Sequence, residues 1–385
     1  MWELGMAKTL FWLCALAAVW SYFIYPAVLW AQLRLRAAPP KRPISVEAAP
    51  RLSLIVTVYN EEARIEQKLR NIAELDYPPE SLEVLVASDC STDGTDAIVM
   101  AQQDQRIRLV RASERLGKEN AQLSAIRVAT GQILVFSDVA TQMPADALLR
   151  LVPYFEDPAV GALSSEDRFI EQDGKVAGEG LYVRYEMWLR RLESSLAGLV
   201  GLSGSFFAAR RGVCEYWDIQ SPSDFNTALN CARRGLRAVT APDVLGYYQD
   251  LKDPSREYER KVRTVLRGMT GLARHAEVMD PRHFGQFAFQ VIGHKLMRWL
   301  VPVALVALLP LNVALLGHGG VYTLALSAQL VFYGAALAAH LRPELRDIGP
   351  LRIVYFFVQV NVAIADALLQ FLRGARMTVW QPSAR

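Results

Sequence analysis

Short apolar runs alternate with amphipathic segments through the first two thirds of the chain. Four of the runs are rich in β-branched residues and have the length of strands, at 52–58, 82–87, 107–110 and 132–136. Segments with helical periodicity lie between or beside them, at 61–73, 94–104 and 117–130. Apolar strands that alternate with helices predict an α/β fold, in which a largely parallel sheet is covered by helices on both faces.

Long apolar runs flank this region. Residues from Thr9 to Leu33 carry no charge, and about 20 apolar residues suffice to cross a bilayer. A second uncharged run, from Trp299 to Leu341, is long enough for two helices and is broken by glycines at 317–320. A third run lies near the C-terminus, and positive charge on both of its sides leaves open whether it crosses the membrane or is re-entrant.

Basic residues follow the first apolar run directly, beginning with Arg34 and Arg36, and they place that side of the membrane in the cytoplasm. We therefore expect a multi-pass protein of the cell (inner) membrane whose polar domain is cytosolic. The expected parts are a transmembrane anchor at 1–34, a Pro-rich linker at 35–50, an α/β domain at 51–255, amphipathic interface helices at 256–298, two transmembrane helices at 299–341, a third membrane segment at 350–372 and a tail at 373–385.

Composition agrees with a polar domain joined to membrane segments, because 52% of the 385 residues are hydrophobic while 21% are charged. The net charge of +3 is small, and no basic tract is interleaved with aromatic residues, so nucleic acid is not an expected partner. The four cysteines lack the spacing of metal ligands, and we expect neither zinc nor disulfides.

Polar residues stand where three of the predicted strands end. The first strand runs into "TVYNEE", the second into "ASDCSTDGT" and the fourth into "FSDVAT". In parallel sheets ligands bind outside the carboxyl ends of the strands. These three stretches, followed in the second case by Gly117 and Lys118 at the start of a helix, mark the candidate site.

In this order the motifs resemble family 2 glycosyltransferases with the GT-A fold, in their membrane-anchored inverting branch. The resemblance covers about residues 50–300. It implies an enzyme that takes a sugar from a nucleotide sugar, with Mg²⁺ or Mn²⁺ as cofactor. The residues that it assigns to the nucleotide sugar are Tyr59, Asn60, Glu61, Asp89, Lys118, Ser137, Asp138, Gly204 and Arg260.

Asp89 matches the carboxylate that holds the nucleotide base in such enzymes. A carboxylate can accept the imide N–H of uracil, so we expect a UDP-linked donor rather than a GDP-linked one. The alternative interpretation is a turn and helix cap without a ligand. Lys118 is expected to reach the diphosphate, and its alternative role is that of a solvated helix lysine.

Asp138 is the expected metal ligand, but it lacks the usual second carboxylate. Ala140 stands where the family has the second Asp of a D-x-D pair. One carboxylate can still hold a divalent cation that keeps water and phosphate ligands. The alternative interpretation is that Asp138 caps the following helix.

Two further residues are assigned to catalysis by the resemblance. Asp224, in the pair Ser223-Asp224, matches the base that deprotonates the acceptor hydroxyl, although its position also suits an N-cap. Arg263 lies in "RKVRT", where processive synthases have Q-x-x-R-W, and could stabilise the leaving diphosphate. A basic face against lipid headgroups is the alternative for this segment.

The expected function is inverting transfer of a sugar to a membrane lipid, a lipid-linked saccharide or a short glycan at the cytosolic membrane face. A processive polysaccharide synthase is an alternative that Thr264, in place of the aromatic residue, disfavours. The departures at Ala140 and Ser223 leave a third possibility open, a catalytically degenerate subunit that binds nucleotide and serves a partner.

Overall fold

The computed structural model describes residues 2–35, 49–170, 181–249 and 254–377. The chain forms two compact units. The sheet unit consists of Leu29–Lys252 and Thr270–Gln290, with Met377–Arg385, and the helical unit consists of Met1–Val28, Asp253–Met269 and Val291–Arg376. Most of the expected Pro-rich linker at 35–50 and of the tail at 373–385 lies outside the described residues.

One sheet of seven strands runs through the described part of the sheet unit. The strands are β1 (Leu52–Val58), β2 (Leu82–Ser88), β3 (Ile107–Arg111), β4 (Ile133–Asp138), β5 (Val160–Ile170), β6 (Phe206–Arg210) and β7 (Arg237–Gln249). Their order is β3-β2-β1-β4-β6-β5-β7, and only β6 is antiparallel to its neighbours. The predicted α/β architecture with a mostly parallel sheet is confirmed.

The α-helices of both units are numbered together along the chain. They are α1 (Trp2–Val19), α2 (Tyr25–Leu35), α3 (Glu62–Ala73), α4 (Thr95–Met100), α5 (Lys118–Val128), α6 (Ala147–Leu151), α7 (Leu181–Leu196), α8 (Ser223–Arg233), α9 (Pro254–Arg274), α10 (Pro281–Val291), α11 (Met297–Ala314), α12 (Gly320–Leu341) and α13 (Gly349–Leu372). Segments of π-helix at Trp20–Ile24 and Ile292–Leu296 continue α1 into α2 and α10 into α11.

Both faces of the sheet are buried, which explains why its central strands are apolar throughout. In β1, Leu54 and Val56 belong to one core cluster and Ile55 to another, because successive side chains of a strand point to opposite faces. Helix α3 contributes Ile65 to the first cluster, and α5 contributes Ala121 to the second. The sheet is therefore covered on both sides, as the sequence predicts.

The register of the strands brings their polar ends to one edge. Val58 of β1 pairs with Ser88 of β2, and Thr57 pairs with Asp138 of β4, so three parallel strands end side by side. Strand β6 runs the other way and therefore begins at this edge, where Phe206 pairs with Ser137. The loop that precedes β6 thus arrives beside the end of β4.

Four helices among the described residues are long and apolar enough to cross a membrane: Leu4–Leu35, Pro281–Ala314, Gly320–Leu341 and Gly349–Leu372. Two of these helices, Pro281–Ala314 and Gly320–Leu341, cover most of the uncharged run at 299–341, and their crossing of a membrane stays a prediction. The first of them begins earlier than the uncharged run indicates, because a helix kinked at Gly285 precedes it.

Polar groups inside the helical unit bond to one another. The Ser21 hydroxyl donates to the Gly293 carbonyl (3.1 Å), which joins the two π-helical segments. Asp366 accepts hydrogen bonds from the Tyr258 hydroxyl (3.2 Å) and the Gln370 amide (3.0 Å). Membrane helices often satisfy buried polar side chains in this way, so Asp366 has a packing role within the unit.

We predict that Gly131→Ala destabilises the sheet unit. A Cβ at Gly131 would lie 2.5 Å from the backbone nitrogen of Ser53, and backbone cannot move aside as a flexible side chain can. Overpacking of this kind costs about 1–3 kcal/mol. Thermal unfolding of the full chain in detergent should show a lower melting temperature. The control is Gly212→Ala, whose Cβ would lie 3.5 Å from the Arg234 guanidinium; equal losses in both variants would contradict the prediction.

Candidate active site

Asp89 lies fully buried just beyond β2, and its carboxylate faces the start of α5. Both carboxylate oxygens accept the Gly117 N–H at 3.1 Å, and its own N–H donates to the Val58 carbonyl at 2.9 Å. Burial raises the pKa of Asp89, whereas the Gly117 hydrogen bond and the Arg115 charge act in the opposite direction. In the turn that precedes α4, Asp93 rather than Asp89 accepts the Thr95 N–H, at 3.0 Å.

The residue after Asp89 has a backbone conformation that is rare for its type. Cys90 has φ 59°, in the left-handed region where glycine is usual. Such conformations cost about 1–3 kcal/mol and concentrate at functional sites. Cys90 therefore holds this turn at a cost in backbone strain.

The loop after β1 is tied to the loop after β2. Asn60 has φ 51°, and its side-chain oxygen accepts the Thr92 N–H at 2.8 Å. Glu61 forms an ion pair with Arg64 at 2.6 Å. The Tyr59 ring lies 3.9 Å from the Arg115 guanidinium. Each of the three residues expected at the nucleoside therefore has a partner within the protein, and contact with a nucleoside stays a prediction for them.

Lys118 is the first residue of α5 and points inward rather than to solvent. Its ammonium donates to Asp138 Oδ1 at 2.6 Å and to the Gly204 carbonyl at 2.9 Å, and only 8% of the residue is exposed. Gly117, with φ 105°, provides the turn that directs the helix start to this edge. The interpretation of Lys118 as a solvated helix lysine is therefore wrong.

A second lysine lies on the other side of the β4 end, and the sequence analysis missed it. Lys68 of α3 is 1% exposed, and its ammonium donates to the Ser137 hydroxyl at 2.8 Å and to the Thr141 carbonyl. Burial lowers the pKa of Lys68 to about 7, although the Asp138 charge acts to raise it. The available signal was its position between Ile65 and Ile72 on the apolar face of α3.

A further carboxylate at this edge also escaped the sequence analysis. Asp167 of β5 accepts hydrogen bonds from the Ser203 hydroxyl (2.5 Å) and the Ser205 hydroxyl (2.6 Å), the two neighbours of Gly204. Burial raises the pKa of Asp167, and the nearby Asp138 charge adds to that shift, while the two hydroxyls oppose it. Asp167 thus fixes the loop on which Gly204 approaches Lys118.

Asp224, the expected base, lies in the first turn of α8 beside the same glycine. A Cβ on Gly204 would lie 3.6 Å from Asp224 Oδ2. Pro222 occupies the N-cap position of α8, and the Ser223 N–H donates to Glu119 Oε1 at 3.3 Å. The interpretation of Asp224 as the N-cap is therefore wrong.

Arg260 and Arg263 both lie on α9, in its part that belongs to the helical unit. All of the contacts described above lie within the sheet unit. A role for either arginine at the diphosphate stays a prediction.

Comparison with known proteins agrees with this geometry. The model of the family "Glycosyl transferase family 2" matches residues 53–217, which include β1 to β4 and the loop that carries Gly204. Residues 53–217 form a family 2 glycosyltransferase domain.

Relatives with known activities match this domain. A beta-monoglucosyldiacylglycerol synthase from Nostoc sp. is 27% identical over 184 residues, which are 46% of this chain and 39% of the synthase. A poly-beta-1,6-N-acetyl-D-glucosamine synthase from Staphylococcus aureus is 27% identical over 218 residues, 54% of this chain and 52% of the relative. The chain thus spans about half the length, or less, of these two curated relatives.

A solved structure matches nearly the whole chain. It is a mannosyltransferase from Pyrobaculum calidifontis in complex with GDP-Man and Mn²⁺, 27% identical, with a TM-score of 0.72 over 96% of this chain and 100% of that protein. Together with the family match, this likeness confirms the GT-A fold of the glycosyltransferase domain.

The residues of this domain do not fit a divalent cation held by protein ligands. The described residues contain no group of three or more His, Cys, Asp or Glu side chains placed to hold a metal. Asp138, the expected ligand, is bound to the Lys118 ammonium, and position 140 is alanine. A divalent cation such as Mg²⁺ binds carboxylate oxygens together with water and phosphate, and here the one carboxylate at the end of β4 already accepts a hydrogen bond from the Lys118 ammonium.

We predict that Lys68 makes stability depend on pH. Its pKa is about 7 in the folded protein and about 10.5 when unfolded, so the unfolded chain binds more protons between these values and stability should rise with pH there. Thermal unfolding of wild type and Lys68→Met should diverge in favour of wild type from pH 7 to pH 9. A constant difference between the two proteins over that range would show that Lys68 stays charged.

Proposed function

We propose that the chain is an inverting glycosyltransferase that moves a sugar from a nucleotide sugar to a membrane lipid, a lipid-linked saccharide or a short glycan. The observation that carries the proposal is the convergence of Lys118, Asp138 and Asp224 on Gly204 at the carboxyl edge of the sheet. A cation for a diphosphate and a carboxylate for an acceptor hydroxyl thus lie against the same short loop.

Asp89 is the proposed contact for the base. Its carboxylate retains lone pairs beside the Gly117 hydrogen bonds, because an ionised carboxylate has about four acceptor positions. The imide N–H of uracil is a suitable donor, and we therefore favour a UDP-linked sugar. The mannosyltransferase of similar structure was solved with GDP-Man, so GDP-linked donors are part of the test. Tyr59, Asn60 and Glu61 are the proposed wall of the nucleoside pocket.

Asp224 is the proposed general base. The acceptor hydroxyl gives its proton to the Asp224 carboxylate as its oxygen bonds to the anomeric carbon, and the bond from that carbon to the diphosphate breaks on the opposite face. The electron pair of the broken bond leaves with the nucleoside diphosphate. Inversion requires one such base, and Asp224 lies close to Gly204 without serving as a helix cap.

The diphosphate leaves with added negative charge, which cations must stabilise. We assign this role to Lys118, whose ammonium bonds to Asp138 at the carboxyl edge, with Ser137 directly before Asp138 at the end of β4. Arg260 and Arg263 are proposed as further cations from α9. Preorganised charges of this kind usually supply a large part of the rate enhancement.

The relatives favour a lipid or glycan acceptor, since one makes a glucosyl lipid and the other a polysaccharide. Polymer synthesis is therefore the second candidate, and product length separates it from single transfer. A degenerate subunit would bind nucleotide without turning over any donor.

The test is a panel of UDP- and GDP-linked sugars, supplied to the full chain with a membrane lipid extract as acceptor. We predict transfer from at least one donor and a loss of about 10²-fold or more in Asp224→Asn, with UDP or GDP binding unchanged. The matched control is Asp146→Asn at the N-cap of α6, which should keep activity because the ion pair of Asp146 among the described residues is with Arg150 of that helix. Near-normal transfer by Asp224→Asn would show that Asp224 is not the general base.

The membrane orientation gives a separate prediction. We propose that residues 45–290 are cytosolic and that 317–320, between α11 and α12, face outward. In a cysteine-free background, His318→Cys should react with an impermeant thiol reagent in intact cells, and Gln102→Cys should react only after lysis. Reaction of Gln102→Cys alone in intact cells would show the reverse orientation.

A further inference from the structure

The end of β4 carries a charge arrangement that needs no metal to reach neutrality. A D-x-D pair has two negative charges, and a divalent cation cancels both. Here Ala140 leaves one carboxylate, Asp138, and the Lys118 ammonium cancels it at 2.6 Å. This pair of side chains is therefore neutral without a cation.

The ammonium is held in place from several elements. Asp138 ends β4, Gly204 precedes β6, and Lys118 itself begins α5, whose N-cap Gly117 is bonded to Asp89. An ammonium has three donors, and two of them bond to Asp138 and Gly204. The third donor remains for a phosphate oxygen at the edge where Asp224 also lies.

Lys68 lies on the opposite side of the same strand end, and with a pKa of about 7 it carries part of a positive charge near neutral pH. Its ammonium bonds to Ser137 and to the Thr141 carbonyl, the residues directly before Asp138 and after Ala140. A divalent cation at Asp138 would thus have to displace one lysine and approach a second. Like charges repel more strongly in a partly buried site than in water.

We propose that the Lys118 ammonium, fixed by Asp138, serves in place of the divalent cation, so that this chain binds the nucleoside diphosphate without a metal. The inference rests on the proposed function, since it concerns the leaving group of that reaction. When the bond to the sugar breaks, the charge that develops on the terminal phosphate is stabilised by the remaining Lys118 donor.

Binding of UDP and of GDP to the full chain in detergent, measured by calorimetry in EDTA and in Mn²⁺, tests the proposal. In wild type the two dissociation constants should agree within about threefold for the nucleotide that binds. Lys118→Met should weaken binding about tenfold or more in both solutions, because a charge-assisted hydrogen bond is lost.

Ala140→Asp is the more informative variant, since it restores the carboxylate pair while leaving Lys118 intact. It should weaken binding in EDTA by about tenfold, and Mn²⁺ should restore it, because two carboxylates and one lysine repel a diphosphate until a cation is added. Ala145→Asp is the matched control: it adds the same charge at an exposed position of the same loop and should leave EDTA and Mn²⁺ values equal. Melting temperatures establish that each variant is folded. If Lys118→Met does not fold, the comparison of Ala140→Asp with wild type tests the proposal.

The possible failures are distinct. If wild type binds the nucleotide tenfold or more weakly in EDTA than in Mn²⁺, this inference is wrong. The proposed function would still stand, as that of a metal-dependent glycosyltransferase. Absence of UDP and GDP binding in both solutions would overturn the inference and the proposed donor together. Equal EDTA and Mn²⁺ affinities in Ala140→Asp would also count against it, because the second carboxylate would then have no bearing on the metal.

Discussion

The buried Lys118 ammonium joins three parts of the glycosyltransferase domain. It begins α5, bonds to Asp138 at the end of the parallel strand β4, and bonds to Gly204 in the loop that leads into the antiparallel strand β6. An ammonium that is nearly excluded from water is stable only with such partners, and removal of either partner leaves a costly unpaired charge. The geometry of the site therefore depends on this one group.

The strand order explains why these groups can meet. Because β6 is antiparallel to β4, its first residue lies beside the last residues of β4, and the loop before it crosses the carboxyl edge of the sheet. Asp167 of β5 anchors that loop through Ser203 and Ser205, which leaves Gly204 between Lys118 and Asp224. One reversal of strand direction thus places a cation and a carboxylate against a single glycine.

Local sequence patterns predicted β1 to β4, since each is a short run rich in apolar and β-branched residues; β1, β2 and β4 are buried on both faces, whereas β3 is the half-exposed edge strand. They also predicted the polar strand ends, because turn residues follow each run. They did not predict β5, β6 and β7, which pair with strands distant in sequence, and β5 also carries the polar residues Ser165, Glu166 and Asp167. Lys68 and Asp167 were missed for the same reason: only the folded chain brings α3 and β5 to the end of β4.

The effect of Ala140 on the site also depends on Lys118, which lies on a different element of the fold. Alone, alanine in place of an acid removes a metal ligand and leaves one carboxylate, which would repel a diphosphate. With Lys118 bonded to that carboxylate, the same strand end becomes neutral, and the N-terminus of α5 adds the positive end of an eleven-residue helix dipole. The electrostatic field that acts on a phosphate at this edge therefore depends on Asp138 and Lys118 together, rather than on either residue alone. Because Ala140 adds no second negative charge, the single carboxylate of Asp138 is balanced by Lys118.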